Sequence, residues 1–447
     1  MKQSVNLPLL VMGTFCLCIT SIPTAQAEFI QDAKLNILAK NYYFNRDFRK
    51  GEYNAAGLNA HLIPADRKGY REEWAQGFIV NLDSGWTETP VQFAINSYAL
   101  VALKLDSDGY RTGTNNLEVD SNGRPKSATS EFGAALRAKY KKTEAVLGNQ
   151  FPNNPIIGTN YSRLLPSTAT GLSIKDSSFD KLNLHLGYFT QMSPVDSTRR
   201  LNYFNTDYNN GIKADAVSYI GASYKQDQLE SSIYLSELED VWMQYYLAAK
   251  YKFQMNSKSD FTLQTNNYLN RDTGRAKGGK ISTGVASVMG SYKRAHHNFS
   301  LAYQQVLGDE PMDWIGFGNN GGIASIPNSV QFSTFTEANE KSVQAKYEID
   351  FAPYGLDGLS FMTRYLYGWD IDNSQSHNTF YTKRYLYDPN IDNKHWERDV
   401  ELRYKVKSGF AKDLDLRLRQ ATHRSSKGYR YGNIDEIRLI LEYPFSF

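Results

Sequence analysis

Apolar and polar residues alternate along almost the whole chain. Between 132 and 140, Phe132, Ala134, Leu136, Ala138 and Tyr140 share one face, and Ala135, Arg137 and Lys139 take the other. Between 343 and 351, Val343, Ala345, Tyr347, Ile349 and Phe351 oppose Gln344, Lys346, Glu348 and Asp350. Val400, Leu402, Tyr404 and Val406 oppose Glu401, Arg403, Lys405 and Lys407, and Leu414, Leu416 and Leu418 oppose Asp413, Asp415, Arg417 and Arg419. The last window sets Ile437, Leu439, Leu441, Tyr443, Phe445 and Phe447 against Glu436, Arg438, Ile440, Glu442, Pro444 and Ser446. A period of two is that of a strand, because a helix with its period of 3.6 would scramble these faces within two turns.

Counting such windows predicts about 18 strands, starting near 33, 73, 91, 131, 143, 170, 181, 214, 228, 242, 260, 281, 297, 342, 358, 397, 412 and 434. Their connections fall into two classes. Some are tight, such as 140–143 and 254–260, and others are long, near 47–72, 106–130, 150–169, 190–212, 307–340 and 370–396. An even number of strands with long loops on one rim and short turns on the other predicts an all-β fold, a transmembrane antiparallel β-barrel of 18 strands. A propeller or repeated sandwich also has many short strands. Its outer faces would not carry such unbroken apolar sets, and no fixed internal period is present.

Composition supports a membrane setting that hydropathy hides. Mean hydropathy is −0.52, the value of a polar soluble chain. Yet 31 Tyr and 23 Phe form an excess of the residues that gather where a membrane surface meets water. Residues 1–27 read as a removable leader: Lys2 begins it, an apolar run follows, and Ala25-Gln26-Ala27 is a small-x-small cleavage site. The expected domains are a signal peptide, 1–27, and an outer-membrane barrel, 28–447. Both cysteines, Cys16 and Cys18, fall in the leader, so no disulfide is expected in the exported protein. A formal charge of +3 is near balance and gives nucleic acid no support as a partner.

A barrel this wide encloses water unless loops fill it, so the polar faces describe a lumen wall. Basic residues crowd that wall near the C-terminus: Arg403, Lys405 and Lys407, then Arg417 and Arg419, then Arg438. Closure brings the first strand, with Lys34 and Lys40 of the same parity, beside the last. Arg137, Lys139 and Arg364 add inward charge elsewhere. Glu401, Asp413, Asp415, Glu436 and Glu442 share these faces, so part of the charge belongs to a salt-bridge lattice that only stiffens the wall. The rest makes a stepwise track for an anionic group, since several weak sites let a carboxylate enter and leave where one strong site would trap it.

Other chemistry finds little footing. The stretch 274–280, GRAKGGK, resembles a phosphate-binding loop but is followed by Ile281 instead of Ser or Thr, in a hairpin context. Asp370-Ile371-Asp372-Asn373 begins like a calcium loop without its central Gly or closing Glu. His296 and His297 sit in an expected turn without partners at ligand spacing. No G-x-S-x-G elbow occurs. No enzyme activity, metal or cofactor is expected.

The chain resembles the OprD-type porins, or outer-membrane carboxylate channels, over essentially all of residues 28–447. The likeness resides in YYFNRDF at 42–48, REEWAQGF at 71–78, SRLLPSTATG at 162–171, LEDVWMQYY at 238–246, YQQVLGDEPMDW at 303–314, GLSFMTRYLYG at 359–368, HWERDVELRY at 395–404 and the closing IDEIRLILEYPFSF. The resemblance implies a monomeric barrel in the bacterial outer membrane, its lumen narrowed by inward-folded extracellular loops. It implies a basic ladder to which Arg137, Arg403, Arg417, Arg419 and Arg438 correspond. Constriction loops would carry Arg163, Asp309 and Asp313, with Asp309 meeting a cationic group of the substrate. Lys139, Lys405 and Lys407 depart from a pure arginine ladder, and the loops at 190–212 and 370–396 carry no matching signature. The expected function is passive diffusion of small anionic or zwitterionic solutes bearing a carboxylate, with outer-membrane lipid as the other partner. The alternatives are a surface adhesin or receptor with a plugged lumen, and an outer-membrane hydrolase.

Overall fold

The computed structural model describes residues 29–318, 321–382, 390–427 and 432–447. The expected leader, 1–27, lies outside the described residues. Eighteen antiparallel strands form one closed sheet. The first seven are β1 (Lys34–Phe48), β2 (Tyr70–Asp83), β3 (Gln92–Asp106), β4 (Ala128–Tyr140), β5 (Thr143–Gln150), β6 (Thr168–Phe179) and β7 (Leu182–Ser193). Two short lumenal strands follow, β8 (Phe204–Thr206) and β9 (Lys213–Ala214). The wall resumes with β10 (Val217–Gln226), β11 (Leu229–Leu238), β12 (Trp242–Asn256), β13 (Ser259–Asp272), β14 (Ser282–Arg294) and β15 (His297–Leu307). After the short β16 (Ile315–Gly316) come β17 (Lys341–Asp350), β18 (Leu359–Trp369), β19 (His395–Lys405), β20 (Asp415–Ser425) and β21 (Ile434–Ser446).

Each wall strand pairs with its neighbour in sequence, and β1 pairs with β21 to close the ring. Leu35 and Phe447 exchange two backbone hydrogen bonds at that seam, at 3.1 and 2.9 Å. Closure leaves the sheet without an edge, which is what lets strands cross a bilayer with every ladder bond made. Short turns such as 141–142, 227–228 and 295–296 occupy one rim, where Lys141, Asp227 and Ala295 take φ of 53°, 49° and 51°. Long connections occupy the other: 49–69, 107–127, 151–167, 194–216, 308–340 and 370–394.

The outward faces are predominantly apolar. Phe132, Ile220, Ile233 and Leu301 are 58–70% exposed, which lipid would cover. Tyr140, Phe179, Phe253, Tyr354, Tyr443 and Phe445 ring the short-turn rim as an aromatic girdle.

The inward faces differ from a uniformly wet lumen. Long loops fold into the outer half of the barrel and pack there on apolar wall residues. Ile156, Ile157, Phe204, Tyr208, Trp314 and Phe317 lie against Phe189, Tyr219, Tyr234, Trp242, Tyr246 and Tyr268. On the other side Leu117, Leu164 and Leu165 cover Tyr42, Phe44, Tyr98, Leu100 and Ile440. The strands β8, β9 and β16 form a small sheet inside the first of these clusters. Along β12, burial ends after the first half, from Trp242 to Tyr246, so the loops fill the outer half and leave the inner half open.

Candidate functional site

Strand register places the basic residues in rows on the wall from β18 to β1. Directly opposed Cα partners give one row Glu401, Arg419, Arg438 and Phe44. The next row inward is Arg403, Arg417, Ile440 and Tyr42, and the third is Lys405, Asp415, Glu442 and Lys40. Above them run Arg364, Asp399, Ala421, Glu436 and Arg46. Neighbouring rows are about 7 Å apart, two residues along a strand.

Two like-charged pairs therefore face each other, Arg403 with Arg417 and Arg419 with Arg438, and carboxylates keep them there. Asp415 accepts from Arg403 Nε at 2.9 Å and lies 3.6 Å from Arg417 Nε. Glu442 bridges Arg417 and Lys40, the latter at 3.2 Å. Glu436 accepts from Arg438 Nε at 2.5 Å and Arg46 Nε at 2.8 Å. Arg364 pairs with Asp399 at 2.7 Å, and Lys405 with Asp413 at 3.4 Å. Arg419 differs from the rest. Its Nε is 2.9 Å from Glu401, without alignment for a hydrogen bond, and among the described residues its guanidinium donates no hydrogen bond to a protein acceptor.

One ring organises the upper rows. Phe44 is fully buried, and the guanidinium carbons of Arg438, Arg163 and Arg46 lie 4.5, 5.3 and 5.4 Å from its centroid. The electron-rich face of an aromatic ring draws cations together that would otherwise repel. Arg46 and Phe44 were legible in principle, because they continue the inward parity of Lys40 along β1. They lie outside the C-terminal basic run, on the strand that meets it only when the ring closes.

The remaining sequence-derived residues lie apart from these rows. Arg137 and Lys139 stand on β4, separated from β1 by two strands. Arg137 pairs with Glu144 at 2.6 Å, and the Trp86 ring lies 4.6 Å from Arg137 and 5.7 Å from Lys139. Lys407 is exposed in the 406–414 connection, beyond the end of β19. His297 opens β15 with Nδ1 2.8 Å from the Tyr347 hydroxyl, so of the two histidines only His296 sits in the turn. Among the described residues no three His, Cys, Asp or Glu side chains group as a metal site.

Arg163, Asp309 and Asp313 lie on the inward loops, where Arg163 and Asp313 fasten loop to loop and Asp309 ties the two ends of 308–340 together. Arg163 is 8% exposed. Its Nε donates to the Thr114 carbonyl at 2.8 Å, and burial lowers the guanidinium to about 10. Its own carbonyl accepts from Lys40 Nζ at 2.7 Å, tying the loop to the basic wall. Asp313 accepts from the Tyr208 and Trp314 amides at 2.9 and 2.8 Å and from the Tyr381 hydroxyl at 2.9 Å. Burial pushes that carboxyl up to about 6. Asp309 accepts from Asn339 Nδ2 at 3.1 Å.

Comparison with known proteins agrees with this architecture. The model of the family described as outer membrane porin, OprD family, matches residues 27–447. Porin D of Pseudomonas aeruginosa is 39% identical over 431 residues, covering 94% of this chain and 93% of that one. The crystal structure of Pseudomonas aeruginosa OprD superposes with a TM-score of 0.79 at 36% identity, covering 94% of this chain and 96% of the other. The structure of Pseudomonas aeruginosa OpdK with vanillate superposes with a TM-score of 0.81 at 28% identity, covering 94% and 100%. An 18-stranded barrel with these loops and this match along its length is a porin of the bacterial outer membrane, and the chain belongs to the OprD family.

Proposed function

We propose that this porin passes small carboxylate-bearing solutes, anionic or zwitterionic, by passive diffusion, and that the solute's carboxylate moves along the basic rows of β18 to β1. The observation that carries the reading is Arg419. It holds a fixed charge at the centre of the rows, ion-paired with Glu401 at 2.9 Å, and among the described residues its donors make no hydrogen bond to a protein acceptor. A planar guanidinium orients a carboxylate bidentately as well as attracting it. Arg438, Arg417 and Arg403 continue the path on either side, each already paired, so each holds the visitor weakly enough to release it. Vanillate, the compound in the OpdK structure, itself bears a carboxylate. In this reading Arg137, Lys139 and Lys407 supply field at the inner mouth, and Lys405 and Arg364 flank the path. Arg163, Asp309 and Asp313 set the width of the constriction by fixing its loops. Diffusion down a gradient needs no cofactor, and one barrel suffices as a monomer.

The test is planar-bilayer conductance of the purified protein with anionic, cationic and neutral small solutes, repeated on Arg417→Ala combined with Arg419→Ala. Carboxylate-dependent block that weakens by at least about tenfold in the double variant is expected, since each hydrogen bond between charged groups contributes about 1.5–3 kcal/mol. Insertion without current would favour the plugged adhesin, to which the packed outer half of the lumen lends some support. We also propose that residues 1–27 are removed after Ala27, which intact-mass measurement of the membrane protein decides.

A further inference from the structure

Three buried titratable side chains form a chain of contacts at the outer end of the barrel, beside the basic rows. Glu340 ends the inward-folded loop 308–340, His395 opens β19 and His423 lies near the end of β20. Glu340 Oε1 is 2.5 Å from His395 Nε2. His395 Nδ1 is 2.8 Å from His423 Nε2, and His423 Nδ1 is 2.8 Å from the Gly432 carbonyl oxygen. The three side chains are at most 1% exposed.

The donors and acceptors available fix the state of these contacts. A carbonyl oxygen only accepts, so His423 Nδ1 carries a hydrogen. Each of the other two contacts also needs one. A carboxylate and two neutral imidazoles bring two hydrogens to three contacts. The chain therefore holds one additional proton, wherever along it that proton resides, and with it the three groups are neutral together. Burial raises the Glu340 carboxyl well above the usual carboxylate range, which favours keeping the proton there. Without it, two acceptors would face each other across 2.5 or 2.8 Å in a site closed to water.

We infer that Glu340, His395 and His423 are positioning residues whose shared proton fastens the end of loop 308–340 to the barrel wall, and that its loss at alkaline pH releases the loop and alters the channel's width. The segment before Glu340 hangs on this contact. The Glu337 amide donates to Glu340 Oε2 at 2.8 Å, and the Phe335 ring stacks on His395 at 4.2 Å. Phe332 lies 4.9 Å from His423, and the Phe332 and Ser333 amides donate to Glu397 at 2.7 and 2.9 Å. Phe335 and Asn339 are held at φ of 52° and 59°, backbone strain that only surrounding contacts maintain for a residue as bulky as Phe335. Gly368 on β18 leaves the room: a Cβ there would lie 2.2 Å from Glu340 Oε1 and 2.7 Å from His395 Nε2.

The surroundings set the sign. The charged groups around the chain are Glu337 from the loop, Glu397 and Asp399 from β19 and Glu436 from β21. Arg364 from β18, Arg46 from β1 and Arg424 from β20 are the nearby cations, and Glu52 stands beside Gly432. Arg364 and Arg46 are spent on Asp399 and Glu436, and Arg424 reaches outward to Asp435. A bare Glu340 carboxylate would thus appear fully buried, in a site closed to water. A carboxyl whose value is raised in the folded state contributes most below its ordinary value, and that contribution is lost as pH rises through the raised one. The contact weakens toward alkali.

The inference rests on the channel reading for its effect on current, so two readouts are needed. Amide hydrogen exchange of 328–340, corrected for intrinsic rate, is followed from about pH 6 to about pH 10 beside bilayer current over the same range. In the unaltered protein, protection should fall by at least about tenfold and current should become unsteady as pH rises. Glu340→Gln supplies the third hydrogen from its amide at every pH, so protection and current should stay at their neutral values. His395→Phe should lack the protection throughout. Parallel pH profiles in the unaltered protein and Glu340→Gln would overturn the inference, a comparison that stands even if His395→Phe fails to fold. Pattern as expected without current retains the latch and removes the channel reading; steady current with flat protection removes the latch alone.

Discussion

A single carboxylate holds one of the long loops in place. Glu73 on β2 is fully buried and accepts from the Thr112 and Thr114 hydroxyls and from the amides of Gly113, Thr114, Asn116 and Leu117. Such a nest of donors compensates the charge that burial would otherwise penalise. Glu73→Ala leaves these donors unpaired and should cost on the order of 3 kcal/mol. Limited proteolysis should then cut 107–127 while the barrel stays folded, and cleavage no faster than in the unaltered protein would contradict the assignment. The site as a whole was half legible at this scale. Arg403, Arg417, Arg419 and Arg438 lie on the inward wall their alternation implies. What remained hidden was pairing across long separations: Arg46 with Glu436, Arg364 with Asp399 and Glu340 with His395 meet only because the ring closes and a loop turns inward.

Between strands, glycine and tyrosine fit together across the inner wall. A Cβ on Gly133 would lie 2.2 Å from the Tyr98 ring, one on Gly187 2.3 Å from Tyr219, and one on Gly221 2.2 Å from Tyr234. Each tyrosine lies flat over the bare backbone of its neighbour, which fixes register as well as burial. Gly221→Ala should displace Tyr234 at a cost of about 1–3 kcal/mol, read as a lower midpoint in denaturant with an unchanged slope. The strands were the most legible feature of the chain: starts expected at 143, 242, 297 and 434 fall on the observed residues. Alternation misled at β20, expected near 412 but beginning at Asp415, because Asp413 keeps the pattern while its φ of 72° belongs to a turn. β8, β9 and β16 carry too few residues for any period to register.

Across the molecule the two halves of the lumen have different duties. The outer half is packed with loops, and burial along the wall fades toward the inner half. Fixed charges in a narrow, low-dielectric passage act farther than on an open surface, yet mobile ions still screen them. Anion preference, measured as a reversal potential under a salt gradient, should therefore shrink between about 0.1 M and 1 M salt, where the screening length falls from about 10 to 3 Å. A preference independent of salt would point to size exclusion by the loops instead of the basic rows.

The two hydrogen bonds joining Leu35 to Phe447 make the order of the strands a cycle. A ring has no first member, so the position at which the gene cuts it is arbitrary as far as the folded wall is concerned. A chain in which a short linker joins the present ends, with new ends opened in the exposed part of 49–69, should close into the same barrel. In the natural order β1 and β21 are the wall neighbours farthest apart in the sequence, so their pairing is the contact that a permuted chain makes local.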